Sequence, residues 1–387
     1  MYKYPLANSP ISQQDLNQLV KWIKTNPRLT MGPLTKKFEK QWSNYINTKY
    51  SVFVNSGSSA NLMMVYAALA NGSLKKGDKV IVPACGWITS ISPIIQFGLK
   101  PIMVDADPDN FGLNFNDVEK LCLKKDIKGI FVVHPLGVPV NYKELMRIKN
   151  KFNLFVMEDC CASVGAEYHN SKKVGTIGDL SSFSFYFGHQ LSTIEGGFIN
   201  TSNFKLYSIM LMLRSHGWTK DLDSKSINTL GLNKKINKEN GDFNFIIPGF
   251  NLRSTDLQAF IGLQQIKKAD NVFKKRNQNH MYYLKNLNSN FTFQKVEHCW
   301  PVSLHIGVLA KNNTHRNRVI QNLEKNKIEN RVWSHGNLGK HPFWKDNFNE
   351  FNGIIANEIY KRGFILPTYP ELKKNDLDFI IDVCNKS

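Results

Sequence analysis

Acidic residues are scarce in this 387-residue chain: 31 Asp and Glu stand against 50 Lys and Arg, a net charge of +19. Such a surplus fits a nucleic acid, an acidic small substrate, or a solvated lysine-rich surface. No zinc-finger, RRM-like or basic-zipper pattern accompanies it, and the lysines are spread along the chain. Nucleic acid is therefore not an expected partner, and most of these charges read as solvated surface. Long apolar runs are missing as well. Residues 129–140 come nearest, but His134, Pro135 and Gly137 interrupt them, so no membrane span is expected. The opening MYKYPLANSP lacks the basic-then-apolar layout of a signal peptide. The expectation is a soluble, cytoplasmic protein. Cysteines are few: six, at 85, 122, 160, 161, 299 and 384, with no CxxC pair and no metal-ligand spacing. Neighbouring Cys160 and Cys161 have poor geometry for a mutual disulfide. A reducing compartment and no bound metal follow as expectations. Internal repeats are absent too.

What is present is alternation. Short β-branched or aromatic runs at 51–54, 79–83, 101–105, 129–134, 152–158, 182–187 and 197–200 read as strands. Stretches with helical spacing lie before and between them, at 11–24, 34–46, 61–71, 90–97, 115–123, 142–153 and 203–216. Repeated strand–helix–strand units predict an α/β fold, a mainly parallel sheet sandwiched by helices. Residues 219–244 have few apolar side chains and read as a flexible surface loop. Thr255 and Asp256 can cap a helix running to about residue 286. Beyond it, strands are expected near 291–296, 302–308 and 331–333, with helices between and after. The predicted organisation is a large domain, 1–270, and a smaller α+β domain, 271–387.

The candidate chemistry gathers at the expected strand ends. Residues 182–187 (SFSFYF) read as a half-buried strand, broken at Gly188 and followed by His189 and Gln190. Gly57, Ser58 and Ser59 lie between a strand and a helix start, a place suited to a phosphate or to a plain helix cap. Trp87 follows a strand and could stack on a planar ring or serve as core. Asp159 ends a strand, and Ser184 lies five residues before His189. Asn251 and Arg253 follow a Gly-containing turn, and His216 ends a helix. In open α/β sheets ligands bind at the carboxyl ends of strands. A phosphate, a flat ring and a carboxylate able to pair with a ring N–H⁺ are what pyridoxal phosphate requires.

These residues sit in motifs: NSGSSAN (55–61), PACGWITS (83–90), VMEDCCASVGAEY (156–168), GTIGDLSSFSFYFGHQLSTIEGGF (175–198), LRSHGW (213–218) and GFNLRSTDLQA (249–259). Together, in this order, they resemble the DegT-type sugar-nucleotide aminotransferases, fold type I of the pyridoxal phosphate enzymes. The resemblance implies that Asp159 pairs with the pyridine nitrogen and Trp87 stacks on the ring. It implies that Gly57, Ser58, Ser59 and Ser184 hold the phosphate. Asn251 would reach the cofactor of a partner subunit, giving a homodimer with shared sites. The substrate would be a nucleotide sugar, with glutamate as amino donor.

One departure changes the expected reaction. Where these aminotransferases carry a Lys, this chain carries His189, which has no primary amine to condense with an aldehyde. A pyridoxal or pyridoxamine phosphate would then be held without a covalent link, while His189 stays a competent base. This is similar to the His-bearing 3-dehydratase branch of the family, which acts on GDP-4-keto-6-deoxy-D-mannose. The iron–sulfur branch needs several cysteines after the His; only Cys299 and Cys384 follow it here. Two positions differ from the His-bearing pattern: Ala162 replaces an acidic residue and Gln190 replaces a second His. An aminotransferase working without the Lys and a non-catalytic cofactor-binding paralogue remain open alternatives. His216 could bind the sugar or simply close a helix. Arg253 could bind a carboxylate or phosphate, or make a salt bridge between subunits. The loop at 219–240, Arg331 and His335 are expected around the substrate pocket without assigned roles.

Overall fold

The computed structural model of the chain describes residues 2–169, 171–333 and 336–387. Its elements run α1 (Gln13–Ile23), α2 (Pro33–Ile46), β1 (Tyr50–Val54), α3 (Gly57–Ala70), β2 (Lys79–Pro83), α4 (Ser92–Gln96), β3 (Lys100–Val104), α5 (Phe115–Lys124), β4 (Ile127–Val133), α6 (Tyr142–Phe152), β5 (Phe155–Asp159), β6 (Glu167–Tyr168), β7 (Leu180–Ser184), β8 (Gly197–Thr201) and α7 (Phe204–Arg214). A short α8 (Ser224–Thr229) precedes the 31-residue α9 (Asp256–Asn286). The rest comprises β9 (Phe291–Thr292), β10 (Cys299–Trp300), β11 (His305–Ala310), α10 (Asn313–Lys325), β12 (Arg331–Val332), α11 (Pro342–Lys345), α12 (Ile354–Arg362), β13 (Gly363–Pro367) and α13 (Lys374–Asn385).

Seven strands form one sheet in the order β1-β8-β7-β5-β4-β2-β3. Strands β7, β5, β4, β2 and β3 pair in parallel, and β8 runs antiparallel to both its neighbours. The expected mainly parallel sheet is therefore present. Apolar cores lie on both of its faces. Val52, Val80, Val82 and Met157 pack with α3 and α7 residues such as Met63 and Met210. Phe53, Ile81, Ile130 and Phe183 pack with Phe38, Trp42, Leu145 and Phe273 on the other side. Burial on both faces explains the near-continuous apolar runs of the parallel strands. A four-stranded antiparallel sheet, β12-β13-β11-β9, makes the C-terminal layer with its own core around Tyr283, Val308, Leu323 and Ile380.

Helix α9 opens as expected: Thr255 caps it, and Gln258 answers with its side chain on the Thr255 backbone N–H. It runs unbroken through residue 270, so the expected border between the two domains falls inside one helix. Residues 219–244 are more structured than their composition suggests. They hold two 3₁₀ turns and α8, which α7 anchors through Ser208 and Ser226 hydroxyls 3.0 Å apart. Strand β11 starts at His305, later than expected. The carbonyls just before it, of Val302, Ser303 and Leu304, are taken by side chains of Gln190, Arg276 and Thr368. None of the described helices is long and apolar enough to cross a membrane.

Candidate functional site

Strand β7 ends at Ser184, not at residue 187, and all five of its residues are buried. The expected half-buried strand is thus a fully enclosed one. Its alternation separates two buried faces: Phe183 joins the aromatic core with Trp42, while Ser182 and Ser184 face the site. Tyr186 and Phe187 are exposed, on the turn that carries His189. That turn closes with the His189 N–H donating to the Tyr186 carbonyl at 3.0 Å.

Three strand ends converge. Asp159 closes β5, and its carboxylate accepts from Asn61 Nδ2 at 2.8 Å, Ser90 Oγ at 2.7 Å and the Cys161 N–H at 3.0 Å. Ser182 Oγ donates to Asn61 Oδ1 at 2.5 Å, fixing the amide orientation. Ser90 belongs to the turn that starts at half-exposed Trp87, so the same carboxylate ties down the Trp-bearing loop. At the end of β1, Ser56 caps α3, accepting from the Ser59 N–H at 3.0 Å. Gly57 and Ser58 begin that 14-residue helix. A Cβ on Gly57 would lie 2.7 Å from Ser184 Cβ and 2.9 Å from Cys161 Sγ. Gly57, Ser184 and the Asp159–Cys161 turn therefore form one cradle.

His189 leans on that turn. Its Nδ1 lies 2.6 Å from the Cys161 carbonyl. A carbonyl only accepts, so Nδ1 carries the proton and the lone pair of the neutral ring is on Nε2. Burial pulls the His189 pKa down to about 4. The Cys161 carbonyl and the Asp159 carboxylate work against this, and Arg276 adds to it. The ring is neutral near pH 7.

Asn251, Arg253 and His216 form a second, more exposed group. Arg253 Nε donates to Asn251 Oδ1 at 3.0 Å, and its Nη2 lies 3.4 Å from His216 Nε2. His216 holds a left-handed backbone, φ 63°. A bridge between Val54 and Arg253, and the Asn55 N–H donating to the Leu252 carbonyl at 3.0 Å, set this group beside the Gly57 loop. His335 lies outside the described residues. Arg331 is on the exposed strand β12, its guanidinium 2.9 Å from Glu329.

Asn61, Ser90, Ser182 and the side chain of Gln190 belong to this site and carried no assigned role in the sequence. Asn61 lies within a quoted motif but on a helix, where an amide normally reads as surface; here it is buried. Next door, His134, Glu158 and Cys160 bring ligand-type atoms within 4.8 Å of one another. The Glu158 carboxylate is already filled, by His134 Nε2, Tyr168 Oη and the N–H groups of Gly175, Ile177 and Gly178. Those donors hold its pKa at about 2 despite burial.

A strand-end carboxylate, a cradle at a helix N-terminus with orphan N–H groups, and a Trp on the adjoining loop fit a phosphorylated planar ring with a basic nitrogen. The fold is that of the pyridoxal phosphate aminotransferase class. The chain belongs to the DegT/DnrJ/EryC1/StrS aminotransferase family, whose model matches residues 10–385. It is 36% identical over 281 residues to a GDP-4-keto-6-deoxy-D-mannose 3-dehydratase of Yersinia pseudotuberculosis, covering 72% of this chain and 70% of the relative. The fold matches an Escherichia coli GDP-4-keto-6-deoxy-D-mannose 3-dehydratase with bound hydrated PLP. That match has a TM-score of 0.90 and 29% identity over 99% of this chain and 100% of the other. A structure of such a dehydratase holding a trapped PLP–glutamate geminal diamine matches with a TM-score of 0.89 and 28% identity, over 99% and 100% of the chains.

Proposed function

We propose that this protein is a pyridoxamine/pyridoxal phosphate-dependent 3-dehydratase. It removes the C3 hydroxyl of a nucleotide-linked 4-keto-6-deoxy sugar, GDP-4-keto-6-deoxy-D-mannose, and draws on glutamate to restore the amine form. The observation that carries this reading is His189, oriented by the Cys161 carbonyl with no partner for Nε2 among the described residues, at the position where a transaminating relative needs a primary amine. The activities named for the relatives agree with it.

In this reading Asp159 holds the ring nitrogen protonated, and Asn61 and Ser90 keep its carboxylate aimed. The N–H groups opening α3, with Ser58, Ser59 and Ser184, take the phosphate. Trp87 covers the ring. Bound there, the cofactor supplies an amine for the C4 ketone and an electron sink. With the cofactor bound, His189 Nε2 would take up a proton beside it and hand it to the departing C3 hydroxyl, so that water leaves. The products would be ammonia and the 3-deoxy-4-keto sugar. Asn251 extends to the site of a second copy, making a homodimer, with His216 and Arg253 beside it as anion or sugar contacts. Residues 1–270 hold the cofactor, and 271–387 bound the sugar pocket.

The test is incubation with glutamate and GDP-4-keto-6-deoxy-D-mannose. Ammonia and a 3-deoxy product support the reading. A 4-amino sugar would make the protein an aminotransferase. Cofactor binding with neither product across several nucleotide sugars would make it a non-catalytic paralogue. Borohydride should leave pyridoxal phosphate unattached to the chain.

A further inference from the structure

Gln190 follows the proposed base and is completely buried. Its Nε2 donates to the Ala162 carbonyl at 2.8 Å and to the Val302 carbonyl at 3.0 Å. Both neighbours are acceptors, so the amide orientation is fixed. Its Oε1 is buried with no partner among the described residues. Two successive side chains thus grip two successive carbonyls: His189 takes Cys161, and Gln190 takes Ala162.

The third anchor, Val302, belongs to a rigid segment. The Val302 N–H donates to the Gly137 carbonyl at 3.0 Å. The next carbonyls, of Ser303 and Leu304, accept from Arg276 on α9 at 3.1 and 3.0 Å, and from Thr368 after β13 at 3.2 and 3.1 Å. Segment 302–304 is therefore tied to the long helix, to the loop after β4 and to the C-terminal sheet.

We infer that Gln190 is a positioning residue for His189: its amide pins the His189 turn between the Asp159–Ala162 turn and segment 302–304, and so holds Nε2 at its working place. The inference rests on the base role given to His189. A single hydrogen bond to Cys161 leaves the ring free to pivot about that bond, and Gln190 removes this freedom. A displacement of about 1 Å at a reacting group costs on the order of 100-fold in rate. The charged and titratable groups facing His189 are Asp159 on β5, Arg276 on α9 and His305 at the head of β11.

The variant Gln190→Met fills the same volume and donates nothing, and it removes the orphan Oε1, so it separates position from folding. Two readouts are taken. In the cofactor-free protein, nitrogen NMR of His189 should change from one Nδ1–H tautomer to a mixture, and its titration midpoint should rise towards the ordinary value. In the loaded enzyme, kcat should fall about 10- to 100-fold while KM for the nucleotide sugar stays within about threefold. A His189 spectrum and kcat equal to wild type would overturn the inference. If Gln190→Met does not fold, Gln190→Asn, which reaches one carbonyl, is read the same way; a wild-type spectrum there also overturns it. The NMR arm needs no substrate. A shifted spectrum in a protein without dehydratase activity would leave the positioning role standing and remove the proposed reaction.

Discussion

Acid should unfold this protein from within, through the histidines around segment 302–305. His280 is fully buried, with Nδ1 against Ser303 Oγ and Nε2 without a partner among the described residues. Burial pulls its pKa from 6.5 to about 4. Burial and nearby Arg276 bring His305 to about 3, and burial brings His189 to about 4. Each group is depressed in the folded state. Its contribution is therefore fully present above 6.5 and is lost as pH falls towards 4. At pH 5 an unfolded His is almost fully protonated while folded His280 is about one-tenth so. Linkage then removes about 2 kcal/mol between pH 7 and pH 5 for His280 alone. His189 and His305 retain some exposure, so each is counted at about half that. The three together remove roughly 3–4 kcal/mol, a large share of an ordinary folding free energy of about 5–15 kcal/mol. The Glu158 carboxylate, held at about 2, acts only below this window. The assay is urea unfolding of the cofactor-free protein at pH 7, 6 and 5, beside His280→Asn. Asn can still bond Ser303 but does not titrate. Its smaller size lowers stability equally at every pH, whereas the loss between pH 7 and 5 should shrink by about 2 kcal/mol. Parallel pH dependences for the two proteins would refute the assignment.

Gly57→Ala should lower pyridoxal phosphate affinity at least about tenfold, followed by absorbance titration. Its Cβ would sit 2.7 Å from Ser184 Cβ, so the two sides of the cradle must part. Arg214→Met leaves the buried Glu39 carboxylate without its partner at 2.5 Å. The expected loss is about 3–5 kcal/mol in urea unfolding. Arg214→Met with Glu39→Gln should recover more than half of it, and no recovery would contradict the pairing.

The sheet was readable because its strands are buried on both faces and separated by capped helices, which leaves strong apolar runs between polar turns. Helix α9 was readable from Thr255 and Gln258, which cap it by a local rule. Elements whose ends depend on distant partners were not. The start of β11 is set by Gln190, Arg276 and Thr368 from three other segments. The end of β7 was placed too late, because SFSFYF keeps alternating beyond the point where pairing with β8 stops at Ser184. The site shows the same division. Asp159, Gly57, Ser184 and His189 stood out through glycine punctuation and strand ends. Asn61 and Ser90 did not, since a helical amide and a turn hydroxyl look ordinary until the fold sets them on one carboxylate.

The adjacent acids Glu158 and Asp159 show why local chemistry alone could not assign the site. Both are buried at the end of one strand. Successive strand residues point to opposite faces, so the two carboxylates must enter different surroundings. Glu158 turns to His134, Tyr168 and three backbone N–H groups, which hold it ionised and leave no donor for a ligand to displace cheaply. Asp159 turns to Asn61, Ser90 and the Cys161 N–H, on the face where Gly57 and Ser184 meet and His189 rests. The strand's register therefore decides which acid enters the cage and which faces the Gly57–Ser184 cradle. A one-residue slip would exchange them. That makes the Glu158 cage a locking device for the site: with five donors fixed in space, only one register satisfies it. Asp159 is aimed because Glu158 is caged.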